Sequence, residues 1–396
     1  MRLTIVSPFP PAISGIGQYG FHVSQLLQRS DAFEKITVLT GHNGVAPPQS
    51  ISDIEIFPGW HLGDLGIRHT IRDKLARTNP DLIWFNLGAS VFGRSPLANL
   101  SGFLSILQVK RSGLPIVVTL HEIPELTDLK ALQAPGGILA KYGARLLTHI
   151  ATRGDVICLT AQRYAEWLSA RYKTGQFFHI PLGAYRSPSP LPASDAPELL
   201  IITTMAPFKG VELLIQAFEK LRATRPNLRL TVAGAEHNRF PGYINKIQQK
   251  YQRVDGIRWL GQVPENDVKD LYRRAQLVIL PYLAATGSSS VLWQAAMYGR
   301  AIIASDLDEI RSAVNEAGLN VSLFRPRDVE SLTAAISQLL SSPEARRSQI
   351  QTNLAVTQRF GPQDTYQAYL RAFNLALALN HSSRRIPISS TPEEVF

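Results

Sequence analysis

The sequence predicts an α/β protein with two doubly wound domains, each a parallel sheet covered by helices on both faces. Short apolar runs alternate with longer stretches of helical periodicity, which is the pattern of parallel sheets. The pattern starts again after Gly183, and a segment rich in Pro and Ser marks the break. With 396 residues, the chain is long enough for two domains at the usual size of about 150 residues each. Each domain can therefore bury a core of its own.

The first domain is predicted at residues 1–182. Its strands are expected where β-type residues cluster, at 3–6, 36–39, 82–85, 116–120 and 156–159. Helical periodicity lies between them at 18–29, 67–77, 100–110 and 137–152. Because a helix follows each strand, the strands should run parallel and present the loops that follow them at one edge of the sheet.

The linker is predicted at residues 183–197 and the second domain at 198–361. Strands are expected at 199–203, 228–233, 257–260, 277–280 and 301–304. One intervening helix carries an apolar stripe that fits packing on a sheet, formed by Leu213, Leu214, Ala217, Phe218 and Leu221. A last helix is predicted at 362–380. Residues 381–396 combine Ser, Arg, Pro and Glu without a stripe, which predicts a disordered tail.

The composition favours an acidic partner in a reducing compartment. The formal net charge of +10 favours contact with a nucleotide, an anionic lipid or a nucleic acid. We expect no nucleic acid partner, because the sequence has no recognisable zinc-finger or RNA-binding signature. The single cysteine, Cys158, excludes an internal disulfide. Met1 leads directly into a strand-like run and no apolar run approaches the ~18 residues that span a bilayer, so we expect a cytoplasmic protein.

A loop of small residues follows the predicted strand at 277–280. It consists of Thr286, Gly287, Ser288, Ser289 and Ser290, and a helix comes after it. Unhindered N–H groups and hydroxyls at a helix N-terminus, where the dipole favours an anion, fit a phosphate. The loop therefore predicts a phosphate-bearing ligand, although an ordinary Ser-capped helix would have the same local sequence.

Three more loops fall at the carboxyl ends of predicted strands. Gly15 and Gly17 open the first helix, where a phosphate could approach the backbone closely. His121 ends the fourth strand and can hydrogen-bond a sugar hydroxyl or relay a proton. Lys209 follows the first strand of the second domain. Its ammonium can neutralise the charge that develops when a sugar–phosphate bond breaks.

The order of these four loops resembles the retaining glycosyltransferases of the GT-B fold, glycosyltransferase family 4. The similarity extends from about residue 1 to residue 379. It implies a GT-B fold, in which two Rossmann-like domains face each other across a cleft and the last helix packs back on the first domain. It also implies retaining transfer of a sugar, as by a hexosyltransferase, from a nucleoside-diphosphate sugar to a hydroxyl of a sugar or lipid-linked acceptor. Polysaccharide or glycolipid biosynthesis is the expected setting.

The resemblance also implies roles for individual residues. His121 and Lys209 would be catalytic, and Lys209 would contact the donor as well. The other donor-binding positions it implies are Gly15, Gly17, Gly234, Val263, Thr286, Gly287, Ser288, Ser289, Ser290 and Gln294. The donor is a co-substrate, and no cofactor is implied. No catalytic metal is expected, because the acids Asp306 and Asp308 follow the wrong strand and fit helix capping or the surface better.

Three charged positions of the family's pattern are missing. The family's Arg-x4-Lys places its arginine at Thr204, and its Glu-x7-Glu places its carboxylates at Thr286 and Gln294. Glu122, after His121, replaces a more common aspartate. We interpret the Thr-Gly-Ser-Ser-Ser run as a variant loop that holds phosphate through backbone and hydroxyl groups, with Gln294 on the ribose. Two alternatives stay open: a non-catalytic GT-B protein that binds a sugar nucleotide, and a sugar-nucleotide epimerase of the same fold.

The helix predicted at 137–152 carries both an apolar stripe and basic residues. The stripe consists of Ile138, Leu139, Tyr142, Leu146 and Ile150, and Lys141, Arg145 and His149 recur beside it. Such a stripe most often packs on a sheet. A basic amphipathic helix can also lie on an anionic membrane, which would place the protein peripherally at the inner face. Both interpretations stay open.

Overall fold

The computed structural model describes residues 1–11, 14–130, 132, 137–173, 175–184, 186–192, 197–237, 239–285, 287 and 289–384. These residues form two sheets with helices on both faces, as the alternation of strands and helices predicts. Every strand pair is parallel except one at the edge of the first sheet. The predicted α/β class is therefore confirmed.

The first domain contains eight strands. They are β1 (Arg2–Val6), β2 (Lys35–His42), β3 (Ser50–Ile51), β4 (Ile54–His61), β5 (Leu82–Leu87), β6 (Ile116–Leu120), β7 (Val156–Leu159) and β8 (Gln176–His179). Its helices are α1 (Gly15–Gln28), α2 (Ile67–Thr78), α3 (Pro96–Arg111), the 3-10 helix η1 (Pro124–Leu126), α4 (Gly137–Ala151) and α5 (Gln162–Arg171). The sheet order is β3-β4-β2-β1-β5-β6-β7-β8.

The second domain contains six strands in the order β11-β10-β9-β12-β13-β14. They are β9 (Glu198–Ile202), β10 (Arg229–Ala233), β11 (Ile257–Leu260), β12 (Leu277–Leu280), β13 (Ala301–Ser305) and β14 (Ser322–Phe324). The helices that follow β9 in the chain are η2 (Pro207–Lys209), α6 (Val211–Arg222), α7 (Tyr243–Lys250), α8 (Glu265–Arg274), α9 (Ser290–Met297), α10 (Asp308–Ala317), α11 (Val329–Ser341), α12 (Pro343–Arg359) and α13 (Pro362–Arg384).

The last helix, α13, leaves the second domain and packs on the first. Tyr369 is fully buried, and its hydroxyl lies 2.9 Å from the hydroxyl of Tyr19 and 2.9 Å from that of Thr119. Asn380 donates a hydrogen bond of 2.9 Å to the carbonyl of Gly113. The helix continues to Arg384, four residues beyond its expected end, and residues 385–396 lie outside the described part of the chain.

One long strand, β4, was not anticipated by the sequence pattern. Pro58 and Gly59 interrupt its alternation, and both residues are typical of loops. The register with β2 shifts between Thr40 and Gly41, so that Gly41 lies opposite Trp60. A Cβ on Gly59 would stand 3.0 Å from the Cβ of Leu39, which explains why glycine occupies this strand.

Candidate functional site

The candidate site loops lie where each sheet reverses its strand order. In the first sheet β1 lies between β2 and β5, and in the second β9 lies between β10 and β12. In open α/β sheets, ligands bind outside the carboxyl ends of the strands at such points. The loops after β1, β9 and β12 are therefore at the binding edges. His121 comes directly after β6, the neighbour of β5.

The glycines of the first loop differ in what surrounds them. Ser14 caps α1, and its hydroxyl accepts a hydrogen bond of 3.3 Å from the N–H of Gly17. A Cβ on Gly17 would stand 3.2 Å from the carbonyl of Pro8, whereas nothing lies within 4 Å of the position that a Cβ on Gly15 would take. Gly17 is thus required by the packing of its own chain, while Gly15 faces open space.

His121 is held in one orientation and one protonation state. Its Nε2 lies 2.7 Å from Oδ1 of Asn86, a buried side chain whose amide nitrogen donates to the carbonyl of Ile16 at 3.0 Å. Since that amide must donate to a carbonyl, Oδ1 accepts, and Nε2 of His121 carries the proton. Burial lowers the pKa of His121 to about 3, so the ring is neutral at pH 7. Its Nδ1 therefore has a free lone pair that can accept a hydrogen bond from a sugar hydroxyl.

Glu122, next to His121, holds the neighbouring loop. Its Oε1 accepts a hydrogen bond of 2.8 Å from the backbone N–H of Ala89, which follows β5. The tip of the carboxylate is therefore engaged with the chain itself, as expected for a group that orients a loop.

Lys209 lies at the end of η2, beside the loop that follows β12. Its Nζ stands 3.9 Å from the ring centroid of Tyr282, a cation–π contact that holds the ammonium at the edge of the second domain. Gly210 has a φ of +68°, and a Cβ there would overlap the carbonyl oxygen of Pro281. This close approach brings the lysine turn against the loop after β12, and Leu283 adds a hydrogen bond of 2.8 Å from its N–H to the carbonyl of Phe208.

The small-residue loop meets the first domain at His121. A Cβ on Gly287 would overlap the carbonyl oxygen of His121, so the contact between the domains requires glycine here. Ser289 lies with its Oγ 3.4 Å from the hydroxyl of Tyr282, and Ser290 is the first residue of α9. Thr286 and Ser288 lie outside the described residues.

Three further predicted donor positions are partnered within the chain. Gln294, in α9, accepts a hydrogen bond of 3.1 Å from the hydroxyl of Tyr272, which leaves its two amide N–H groups pointing away from this bond. Gly234 has a φ of +133°, and a Cβ there would overlap the carbonyl of Thr203. Val263 packs its half-buried side chain on the core. The glycine at 234 is thus required by chain packing, whatever ligand it contacts.

A group of cations that the sequence analysis did not single out lies near Lys209. His237 and Phe240 both contact the ring of Phe208, and Arg239 stacks on Phe240 at 5.3 Å. Burial, followed by the charges of Arg239, Lys209 and Arg94, lowers the pKa of His237 to about 4. Arg94 belongs to the first domain, so cations of both domains contribute to the lowered pKa of His237. The segment after β10 has no periodicity or motif, and the fold alone reveals this grouping.

The two domains also meet through Leu132. Its side chain packs in a small apolar cluster with Ala206, Phe208 and Ala284 of the second domain. Arg239 donates a hydrogen bond of 2.8 Å to the carbonyl of Leu132. The loop that carries Lys209 thus packs against Leu132 of the first domain.

The acids that follow β13 are paired with an arginine. Arg311 contacts Asp306 at 2.7 Å and Asp308 at 3.0 Å. Among the residues that the structure describes, no group of three or more His, Cys, Asp or Glu side chains could hold a metal ion.

Several known proteins that are similar to this chain are named as glycosyltransferases. The family model described as glycosyl transferases group 1 matches residues 196–342. A lipopolysaccharide 1,2-N-acetylglucosaminetransferase from Salmonella typhimurium is 30% identical over 158 residues, which are 38% of this chain and 41% of that protein. A D-inositol 3-phosphate glycosyltransferase from Thermobispora bispora is 23% identical over 314 residues, 74% of this chain and 72% of that protein. The chain thus spans about two fifths of the first relative and about seven tenths of the second.

Solved structures with the same architecture cover nearly the whole chain. Sucrose-phosphate synthase from Thermosynechococcus elongatus superposes with a TM-score of 0.71 at 16% identity and covers 97% of this chain and 98% of its own. HepE from Anabaena, in complex with UDP and glucose, superposes with a TM-score of 0.70 at 16% identity, covering 94% and 99%. These similarities show the fold. The family model thus matches most of the second domain, and the whole chain has the same two-domain architecture as these solved structures.

Proposed function

We propose that this protein is a retaining glycosyltransferase of family 4 that transfers a sugar from a nucleoside-diphosphate sugar to a hydroxyl group. The observation that carries the proposal is the proximity of three features. Gly287, in the small-residue loop, lies against the carbonyl of His121, and Tyr282 contacts both Lys209 and Ser289 of that loop. A cation, a neutral hydrogen-bond acceptor and a small-residue loop are what a sugar diphosphate requires. Family membership and retention rest on the resemblance of the loops to that family.

The donor is proposed to be held with its diphosphate toward the second domain. Lys209 would neutralise charge on the diphosphate, and N–H groups of the small-residue loop would donate hydrogen bonds to it. Gln294 would bind the ribose through its amide. The first donors to consider are UDP-sugars, because HepE has been solved with UDP and glucose and with UDP-glucose. A hexose is the proposed sugar.

The missing arginine at Thr204 is proposed to be replaced by cations from elsewhere in the fold. Arg239 lies in the same aromatic cluster as Phe208, and Arg94 adds charge from the first domain. A diphosphate in the cleft would meet a positive field although position 204 is neutral. Sequence motifs could not indicate this substitution, because Arg239 follows a different strand.

The chemistry follows from these positions. The bond between the anomeric carbon and the diphosphate oxygen breaks, and the acceptor oxygen forms its bond on the same face. The acceptor's proton passes to the leaving diphosphate, whose charge Lys209 stabilises. His121, neutral and fixed by Asn86, accepts a hydrogen bond from the transferred sugar through Nδ1. Closure of the domains excludes water and limits donor hydrolysis. We propose no catalytic metal, since these cations supply the charge.

The acceptor is proposed to be a sugar or a lipid-linked sugar, and the setting polysaccharide or glycolipid biosynthesis in the cytoplasm, at the inner face of the membrane. The names of the Salmonella lipopolysaccharide transferase and of a mycobacterial phosphatidyl-myo-inositol mannosyltransferase support this class of acceptor. The described residues contain no helix long and apolar enough to cross a bilayer.

One observation favours a second candidate, a non-catalytic protein that binds sugar nucleotides. Three positions that carry charge in the family are neutral here, namely Thr204, Thr286 and Gln294. The deciding experiment incubates the protein with UDP-, GDP- and ADP-sugars, with and without a lipid-linked sugar acceptor, and follows nucleotide release and product by NMR. Acceptor-dependent release with an unchanged anomeric configuration supports the proposal. Binding without turnover would favour the second candidate, and an isomerised donor without acceptor would indicate an epimerase.

A further inference from the structure

The helix α4 turns its bulky apolar side chains toward solvent. Ile138 is 69% exposed, Leu139 77%, Tyr142 64% and Leu146 45%, and of the predicted stripe only Ile150 is buried. These four exposed residues form the α4 face. The expectation that this stripe packs on the first sheet is therefore wrong for all of its members except Ile150.

The opposite side of α4 explains this orientation. Small residues recur there at helical spacing, and Ala144, Thr148 and Ala151 are buried while Ala140 is half-buried. The helix packs with this side against α3 and η1. Small side chains allow a close approach, and the hydroxyl of Thr148 is satisfied by the carbonyl of Ala144 at 3.1 Å. The packing of α4 therefore does not need the large apolar residues.

The α4 face is concentrated compared with the other exposed apolar side chains. The remaining large hydrophobic residues that are exposed in the described part of the chain are Val45, Leu65, Leu97, Leu126 and Leu323, which belong to five separate segments. Single exposed apolar residues are ordinary on protein surfaces, whereas a contiguous apolar patch marks an interaction site.

Basic groups flank the α4 face, and α4 itself contains no acidic residue. A groove of about 480 Å³ runs beside it, lined by Tyr142, Arg145, Leu146, His149, Arg171 and Tyr172. Arg145 and Arg171 share one carboxylate, that of Glu125, at 3.9 Å and 3.0 Å. Two guanidinium groups against one carboxylate leave a net positive charge. Lys141 is exposed and adds to it.

We propose that the α4 face is a docking surface for an anionic membrane. Apolar side chains flanked by Lys and Arg, with a tyrosine among them, match the layered polarity of a bilayer interface. The apolar side chains would enter the acyl boundary, while Lys141 and the groove arginines would meet lipid phosphates. The net charge of +10 favours the same surface over a neutral one. A second copy of this chain would bring like charges together at this face.

The position of α4 in the fold connects this surface with the cleft. The helix follows β6, whose carboxyl end carries His121, and Leu132 between them packs on the second domain. The α4 face thus begins six residues after Leu132, close in sequence to a contact between the two domains. If the proposed function holds, on which this step rests, membrane docking would present a lipid-linked acceptor to the site.

The test is flotation of the full chain with vesicles. We expect binding to a mixture of phosphatidylcholine and phosphatidylglycerol, weaker binding at high salt, and little binding to phosphatidylcholine alone. Leu139→Glu should weaken binding about tenfold or more, because an apolar anchor becomes a charge that anionic lipid repels. Val45→Glu is the matched control. Val45 is 75% exposed and follows β2, which lies on the opposite side of β1 from β6 and β7 in the strand order. Lys141→Glu should also weaken binding, whereas Lys269→Glu, an exposed residue of α8, should not.

Several outcomes would overturn the inference. Equal binding to both kinds of vesicle, or an unchanged affinity for Leu139→Glu, would contradict it. A dimer in solution that Leu139→Glu dissociates, without vesicle binding by the wild type, would assign the face to a second copy instead. Calorimetric binding of a soluble sugar nucleotide separates this inference from the proposed function. Donor binding without vesicle binding removes only the docking surface, and vesicle binding without any donor binding removes only the proposed function.

Discussion

Nε2 of His121 donates a hydrogen bond to Oδ1 of Asn86 across 2.7 Å, and the two residues end adjacent strands of the first sheet. Asn86 is fully buried and also donates to Ser7 at 2.9 Å and to Ile16 at 3.0 Å. The amide therefore links the loop after β1 to the end of β6. It fixes which nitrogen of His121 remains an acceptor.

The first prediction concerns this pair. His121→Phe keeps a ring against Tyr19, which lies 4.8 Å away in an edge contact, but removes the Nδ1 acceptor. Turnover should fall about tenfold to a hundredfold, as expected for the loss of one hydrogen bond to the reacting sugar.

Asn86→Ala provides the control for that prediction. It should lower turnover in the wild type and cause a smaller loss in His121→Phe, because Asn86 acts partly through the histidine and partly by holding the loop after β1. Steady-state kinetics of the two single variants and the double variant would test this. Full turnover by His121→Phe would exclude a role for the ring nitrogen.

The second prediction concerns Lys209. Lys209→Ala should reduce turnover about a hundredfold or more, since it removes a preorganised charge that stabilises the leaving diphosphate. Lys209→Met keeps most of the side-chain length and should be nearly as impaired. Lys220→Ala is a suitable comparison, because Lys220 lies in the following helix α6 and pairs with Glu330 at the surface. Near-normal rates for both Lys209 variants would refute the assigned role.

The third prediction concerns the replacement of the family's arginine. Arg239→Gln should weaken binding of the sugar nucleotide, because it removes one of the positive charges around His237. Adding Thr204→Arg should restore the affinity for the sugar nucleotide, because it places a cation at position 204, where the family has an arginine. Calorimetric titration would measure both effects. An affinity that Arg239→Gln leaves unchanged, or that Thr204→Arg fails to restore, would argue against the replacement.

The fourth prediction compares Gly210, whose backbone conformation and surroundings require glycine, with Gly15, which faces open space. Gly210→Ala should lower the free energy of unfolding by about 2 kcal/mol or more, because φ is +68° and a Cβ would overlap Pro281. Gly15→Ala should change it by less than about 0.5 kcal/mol. It should nevertheless weaken donor binding severalfold if phosphate approaches the backbone there. Chemical denaturation and calorimetry would test the pair, and unchanged donor affinity in Gly15→Ala would remove Gly15 from the site.

The fifth prediction concerns the stability of the fold at acid pH. Burial lowers the pKa of His121 to about 3, and burial with a neighbouring arginine lowers that of His22 to about 4. In the unfolded chain a histidine titrates near pH 6.5, so between about pH 6.5 and pH 4 the unfolded state binds protons that the folded state does not. Stability should be complete above about pH 6.5 and should fall as the pH decreases.

Thermal unfolding between pH 7.5 and pH 5 would measure this effect, since exposed carboxylates titrate mostly below that range. The slope of stability against pH should be shallower in His121→Gln, which has one buried histidine fewer. A stability that stays constant over this range would contradict the buried, neutral state of these rings.

The sequence predicted the architecture well and the surfaces poorly. Alternating strands and helices gave two parallel sheets, because hydrophobic periodicity follows directly from backbone geometry. It missed β4, since Pro58 and Gly59 break the alternation. Of the two interpretations of the α4 stripe, packing on the sheet holds only for Ile150. Periodicity reveals an apolar side but not whether small residues such as Ala144 already provide the packing side.

In the candidate site, too, the sequence located some of the residues and missed others. Its loops could be located because each follows a predicted strand, and ligands collect at the carboxyl ends of strands. Arg239 and Asn86 could not be found in this way. Arg239 follows β10 in a segment without a motif. Asn86 lies inside the buried strand β5, where the pattern predicts apolar residues. Their proximity to Phe208 and His121 depends on the order of strands in the sheet, which periodicity does not determine.

The most direct test is calorimetric titration of the wild type and Lys209→Ala with UDP-, GDP- and ADP-sugars. We expect one nucleotide class to bind the wild type selectively and to bind Lys209→Ala clearly more weakly. Absence of binding by every donor, or equal affinity in the two proteins, would contradict a diphosphate held at Lys209 between the two domains.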